Sequence, residues 1–304
     1  MKLPAFALAS ALLAAAAAAN AQTVILTADA MVDVESGRLV SDPVITIVDG
    51  EITAVATGQT PEVEDAQTVD LDGMTIMPGL IDMHVHLTSA SDVHGYRRLA
   101  ISHERAAITG VVNANKTLMA GFTTVRNVGA PSFGDVALRD AIAEGDIPGP
   151  RMFVSGPPIG ITGGHCSDNN LLPPEYEATG EGVADGPWAA RSKVRKNRKF
   201  GADLIKTCST GGVLSKGTKV GAPQYTVEEL TALVEEAHSH GMKVASHAHG
   251  TEGIVNALKA GVDTIEHASF IDDEGIRLAK ENGAYLSMDI YVTEFILGEG
   301  EAAG

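Results

Sequence analysis

Two histidines two positions apart, His84 and His86, close a largely apolar run that begins near Met77. On an extended strand, alternate residues face the same side, so both imidazoles leave it together. Such a pair is a half-site for a borderline-soft cation such as zinc. Three further apolar runs end in a basic or imidazole side chain where Val or Ile is the usual choice: at Lys206, at His247 and at His267. Burying such groups is costly unless they bind something or one another. His249 shares the parity of His247 and competes with it as a ligand. His247 is preferred because it closes the strand, and His249 is left as a supporting or substrate-facing residue. His94, His103, His238 and His240 fall on helical or loop segments and are read as non-ligands.

The elements that carry these residues repeat one punctuation. A helical segment ends, a Gly follows and a short apolar strand begins, at Gly121, Gly201, Gly241, Gly261 and Gly283. Gly tolerates the left-handed conformation just past a helix. Thr226 with Glu229 forms a capping-box signature ahead of an apolar helical face. Strands are expected at 76–82, 123–127, 152–155, 204–207, 244–247, 264–267 and 285–289. Their alternation with helices predicts an α/β fold with a parallel sheet. A (β/α)8 TIM-type barrel needs eight strands and collects the C-terminal strand ends at one pocket. Seven are visible before Gly304, so the expectation is a barrel whose eighth strand is missing, in a chain cut short and poorly active as it stands.

Residues 22–75 have another character. Short β-rich runs at 23–26, 44–48, 52–56 and 68–71, with Asp49-Gly50 as a hairpin signal, predict a small N-terminal β-sandwich unit. Residues 76–304 then form the barrel part. Residues 1–21 read as a secretory signal peptide: Lys2, an apolar Ala-rich stretch, and a small-residue cleavage pattern at Ala19-Asn20-Ala21. A periplasmic or secreted protein with no membrane span after cleavage is expected. Export leaves a single Cys166–Cys208 disulfide open as a possibility. The net charge of −17 repels phosphate backbones and argues against a nucleic-acid partner. The basic run from Arg191 to Lys199 is read as a solvated helix face.

MPGLIDMHVHL (77–87), GADLIKTCSTGG (201–212), VASHAHG (244–250) and TIEHASF (264–270) together resemble the strand signatures of the amidohydrolase superfamily, in the branch of imidazolonepropionase-like proteins and Xaa-Pro dipeptidases. The resemblance implies two divalent metal ions, with zinc the expected species. His84 and His86 would hold one and His247 and His267 the other. Lys206, carrying a CO2-derived carbamate, would bridge them. It also implies hydrolysis of an amide or peptide bond by a hydroxide held between the metals, on Xaa-Pro or Xaa-Arg/Lys dipeptides or N-acyl amino acids. A cyclic-amide hydrolase, a lactone or organophosphate esterase, and a non-catalytic metal-binding protein are the alternatives. His165, in a long Gly- and Pro-rich loop over 156–187, and Tyr225 resemble substrate-facing positions. The family's strand-eight Asp has no counterpart, and Asp289 is not assigned its role. Small-molecule substrates are the expected partners, with a homo-oligomer possible.

Overall fold

The structure is a computed structural model that describes residues 22–90, 93, 95–167, 172–213, 215, 217–289, 291, 292, 294, 297 and 298. The leader over residues 1–21 and His94 lie outside the described residues. The chain divides into two compact units, residues 1–78 and 79–304.

In the first unit, β1 (Thr23–Asp33), β2 (Arg38–Ser41), β3 (Pro43–Val48), β4 (Glu51–Thr57) and β5 (Gln67–Ile76) lie in one sheet. β1 pairs antiparallel with β2 and β3 and parallel with β5. The β3–β4 hairpin turns at Asp49-Gly50, both at positive φ (51° and 81°), as a primed turn requires. The expected sandwich needs a second sheet; the described residues of this unit form a single one.

Among the described residues of the second unit, seven parallel strands alternate with helices. They are β6 (Leu80–Val85), β7 (Phe122–Asn127), β8 (Arg151–Val154), β9 (Leu204–Cys208), β10 (Lys243–Ala248), β11 (Thr264–His267) and β12 (Tyr285–Ser287). The helices are α1 (His103–Met119), α2 (Gly134–Ala143), α3 (Pro187–Lys199), α4 (Val227–Ser239), α5 (Thr251–Lys259) and α6 (Asp273–Asn282). The capping box predicted at Thr226 opens α4, with Thr226 Oγ1 accepting from Glu229 N–H and the Glu229 carboxylate accepting from Thr226 N–H. No helix among the described residues is long and apolar enough to cross a membrane.

The strands form two sheets, β6-β7-β8 and β9-β10-β11-β12. Gly156-Pro157-Pro158 follows β8, and proline has no N–H to continue a ladder. The sheets adjoin through isolated links: Asp203 N–H donates to Val154 O, and Ile159 bridges Thr207. β6 also begins later than predicted, at Leu80 rather than at residue 76. Ile76 is already paired with Met31 in the first unit's sheet. The larger core lies where α3, α4 and α5 cover β9–β11, around Ile205, Leu230, Leu233, Val244, Leu258 and Ile265. A smaller one joins Leu87, Val125, Leu138 and Val154 beneath α1 and α2.

The basic run on α3 is more than a solvated face. Arg191 pairs with Glu235 and Glu236 of α4, and Arg195 pairs with Glu236. The chain's single tryptophan, Trp188, stands at the start of α3 and is 80% exposed.

Candidate metal centre

Parallel strands deliver their C-terminal ends to one side, and the imidazoles meet there. His84 and His86 face each other with ring centroids 5.3 Å apart, and His84 lies 4.9 Å from His267. His267 lies 4.5 Å from His247, whose ring is 4.1 Å from His165 and 4.6 Å from His249. Lys206 projects from β9, 3% exposed, and its charge acts on His84, His86, His165 and His247. The five expected ligands therefore converge, and His165 and His249 join them. Tyr225 does not join in the expected role. It is buried and its hydroxyl donates to Ala184 O at 2.7 Å, which leaves no proton for a substrate carboxylate.

The first unexpected residue is Glu266. It is fully buried on β11, one residue before His267. One oxygen lies 2.9 Å from His84 Nδ1, and the other accepts from Arg126 Nη2 at 2.7 Å and Thr264 Oγ1 at 2.7 Å. Arg126 also donates to Met83 O and Thr264 Oγ1, tying β7, β6 and β11 together. Burial pushes the Glu266 carboxyl up, but His84, Lys206 and Arg126 outweigh it and hold it at about 2. An anion there makes His84 Nδ1 the protonated nitrogen and leaves Nε2 as the lone-pair donor. His86 is fixed the same way, its Nδ1 lying 3.2 Å from Gly129 O. Gly129 has φ +147°, and a Cβ there would lie 3.2 Å from the His86 ring, so only glycine allows this approach. His249 Nδ1 pairs with Ser269 Oγ and His165 Nδ1 with Ser215 Oγ.

Burial is the main reason that His84, His86 and His247 are pushed below the usual histidine range. They are held as neutral imidazoles, the form that binds metals. Burial also lowers the Lys206 ammonium to about 8, with Glu266 opposing and Arg126 assisting. His267 and Ala268 both sit at positive φ (72° and 50°), a strain that non-glycine residues tolerate mainly at functional positions.

Among the described residues three buried side-chain atoms have no hydrogen-bond partner, and two of them, His247 Nε2 and Asp289 Oδ2, lie in this cluster. Asp289 Oδ2 is crowded by His267 Nδ1 at 2.5 Å and His84 Nδ1 at 3.7 Å, without hydrogen-bonding geometry to either. Potential ligand atoms of His247, His249 and His267, and likewise of His84, His267 and Asp289, lie within 4.8 Å of one another. Buried polar atoms left without partners and a nitrogen-rich set of side chains fit a divalent ion of the zinc type. Sequence reasoning set Asp289 aside and missed Glu266 and Arg126. The signal for the last two was a charged residue inside each of two buried strands.

The model of the amidohydrolase family matches residues 75–299. The chain belongs to the amidohydrolase family. This member is 30% identical over 246 residues to ochratoxinase of Aspergillus niger, covering 74% of this chain and 50% of that protein. It thus spans about half the length of the curated relatives it matches first. Among solved structures, a Xaa-Pro dipeptidase with methionine bound in its active site is similar at 37% identity and a TM-score of 0.80, covering 92% of this chain and 70% of that one. A prolidase complexed with N-methylphosphonate-L-proline is similar at 33% identity and a TM-score of 0.76, over 87% and 65% of the two chains. The amidohydrolase match takes in every residue of the imidazole cluster.

Proposed function

We propose that this amidohydrolase hydrolyses the amide bond of a small dipeptide or N-acyl amino acid at a centre of two divalent metal ions, zinc the favoured species. The observation that carries this reading is the convergence of His84, His86, Lys206, His247 and His267, with a buried, partnerless Nε2 on His247. Ochratoxinase, the dipeptidase and the prolidase support an amide over a lactone or phosphate ester. Seven parallel strands in sequential order are also consistent with a (β/α)8 arrangement. The character of residues 1–21 supports export as part of the same reading.

His84 and His86 would hold one ion, and His247 and His267 the other. Lys206, as the carbamate that its amine forms with CO2 on losing a proton, would lie between them. When bound, such ions acidify a water and polarise a carbonyl oxygen. The protein's own residues set the geometry. Glu266 fixes the tautomer of His84, and Gly129 O that of His86. His165 and His249 flank His247 and would meet the substrate's polar end. The depressed Lys206 value supports this use, since an appreciable neutral fraction near pH 8 is the nucleophile that adds to CO2.

Metal content by elemental analysis, on protein purified without chelator, tests the proposal. About two ions per chain, falling in Lys206→Ala, is the expected result. Hydrolysis of Xaa-Pro, Xaa-Arg and Xaa-Lys dipeptides should fall with it. Protein that is folded but binds no metal would overturn the reading.

A further inference from the structure

Cys166 and Cys208 form a disulfide that joins the loop bearing His165 to β9, 42 residues away. Cys208 lies two residues beyond Lys206 on the same strand, so both side chains leave on one face. It is 1% exposed, and its Sγ lies among the imidazoles. Potential ligand atoms of His165, Cys208 and His247 are all within 4.8 Å of one another. The rings of His165 and His247 are 4.1 Å apart, and His247 Nε2 is the buried atom without a partner.

We propose that the disulfide masks a cation site made of His165, Cys208 and His247, selective for a thiophilic divalent ion such as Zn2+ or Cd2+. Two imidazoles and one thiolate match the soft and borderline donors such ions prefer. Tetrahedral coordination at zinc-type bond lengths places donors about 3.5 Å apart, so the three groups need to close by only about 1 Å. While Cys208 is bonded to Cys166, its sulfur has no thiolate to offer and the site stays shut. Opening it consumes two electrons and two protons. A phosphine reductant supplies the electrons, takes oxygen from water and leaves two thiols, and metal binding then releases the Cys208 proton. An ion seated there takes His247, so the bond guards that histidine against capture by a thiolate centre. The guarding role rests on the hydrolytic reading, but the site itself is tested apart from it, because its readout is a sulfur–metal bond rather than turnover.

The test is a Cd2+ titration followed by thiolate-to-cadmium charge-transfer absorption. Cys166→Ser frees Cys208 without reductant and should show the band at one ion per chain, whereas the oxidised wild type should show none. Adding His165→Ala to Cys166→Ser should weaken Cd2+ binding at least tenfold, and Cys166→Ser with Cys208→Ser should abolish the band. If Cys166→Ser does not fold, wild-type protein reduced with a phosphine gives the same readout. A folded, free-thiol protein with no band would overturn the proposal, as would an affinity indifferent to His165.

Discussion

At the scale of single residues, the most consequential side chain is one that cannot touch a metal through the nitrogen it serves. Glu266 holds His84 by Nδ1 and is itself held by Arg126. Replacing Glu266 with Gln keeps the shape and removes the charge. Metal affinity should fall by roughly 10–100-fold, as losses of carboxylate partners to ligating imidazoles do, measured by competition with a chromogenic chelator. Unfolding should become easier by about 3–5 kcal/mol, because Arg126 is left buried without its counter-charge. Unchanged metal affinity alongside that loss of stability would make Glu266 a structural residue only. The histidines and Lys206 were legible in the sequence because each is a polar residue closing an apolar run. Glu266 was not, since its role needs a partner 140 residues away whose strand lies in the other sheet. The Tyr225 expectation came from the family resemblance, whereas in the fold its hydroxyl donates to the carbonyl of Ala184.

At the scale of elements, the segment after β7 is organised by one buried carboxylate. Asp135, in the first turn of α2, accepts from Val136 N–H, Gly156 N–H and Asn127 Nδ2, while Asn127 Oδ1 accepts from Leu87 N–H. This ties α2 and the turn after β8 to the residue next to His86. Burial, the largest influence, pushes the Asp135 carboxyl up to about 6 against those hydrogen bonds. In an unfolded chain it would titrate near 3.8. Between those values the native state keeps a proton that the unfolded chain has lost. The contribution is therefore most favourable below the window and declines as pH rises through it, by about 2–3 kcal/mol in total. Urea unfolding from pH 4 to 7 should show this decline in the wild type and lose it in Asp135→Asn; parallel curves would refute the assignment. The order of strands and helices was readable from glycines just past helix ends. The division into two sheets was not, because it depends on two prolines falling where a ladder would otherwise run on.

At the scale of the whole molecule, the second unit has an interior and two margins. β10 and β11 are paired on both sides, whereas among the described residues β6 and β12 each pair on one side only. Leu80, Ile81, Tyr285 and Leu286 on those margins are exposed. Native-state hydrogen exchange should grade accordingly, slowest for the amides of β10 and β11 and much faster for β6 and β12. Uniform protection across all seven strands would show that the margins are covered in solution. Exposed strand edges also invite pairing with another chain. Away from those edges, the surface indole of Trp188 on α3 gives self-association through that helix an optical handle. Its emission in the folded protein should be that of a water-exposed chromophore, so unfolding should shift the spectrum little and circular dichroism must follow the transition. A second copy settling over α3 would dehydrate the ring, and a blue shift that grows with protein concentration would register the encounter without any added label.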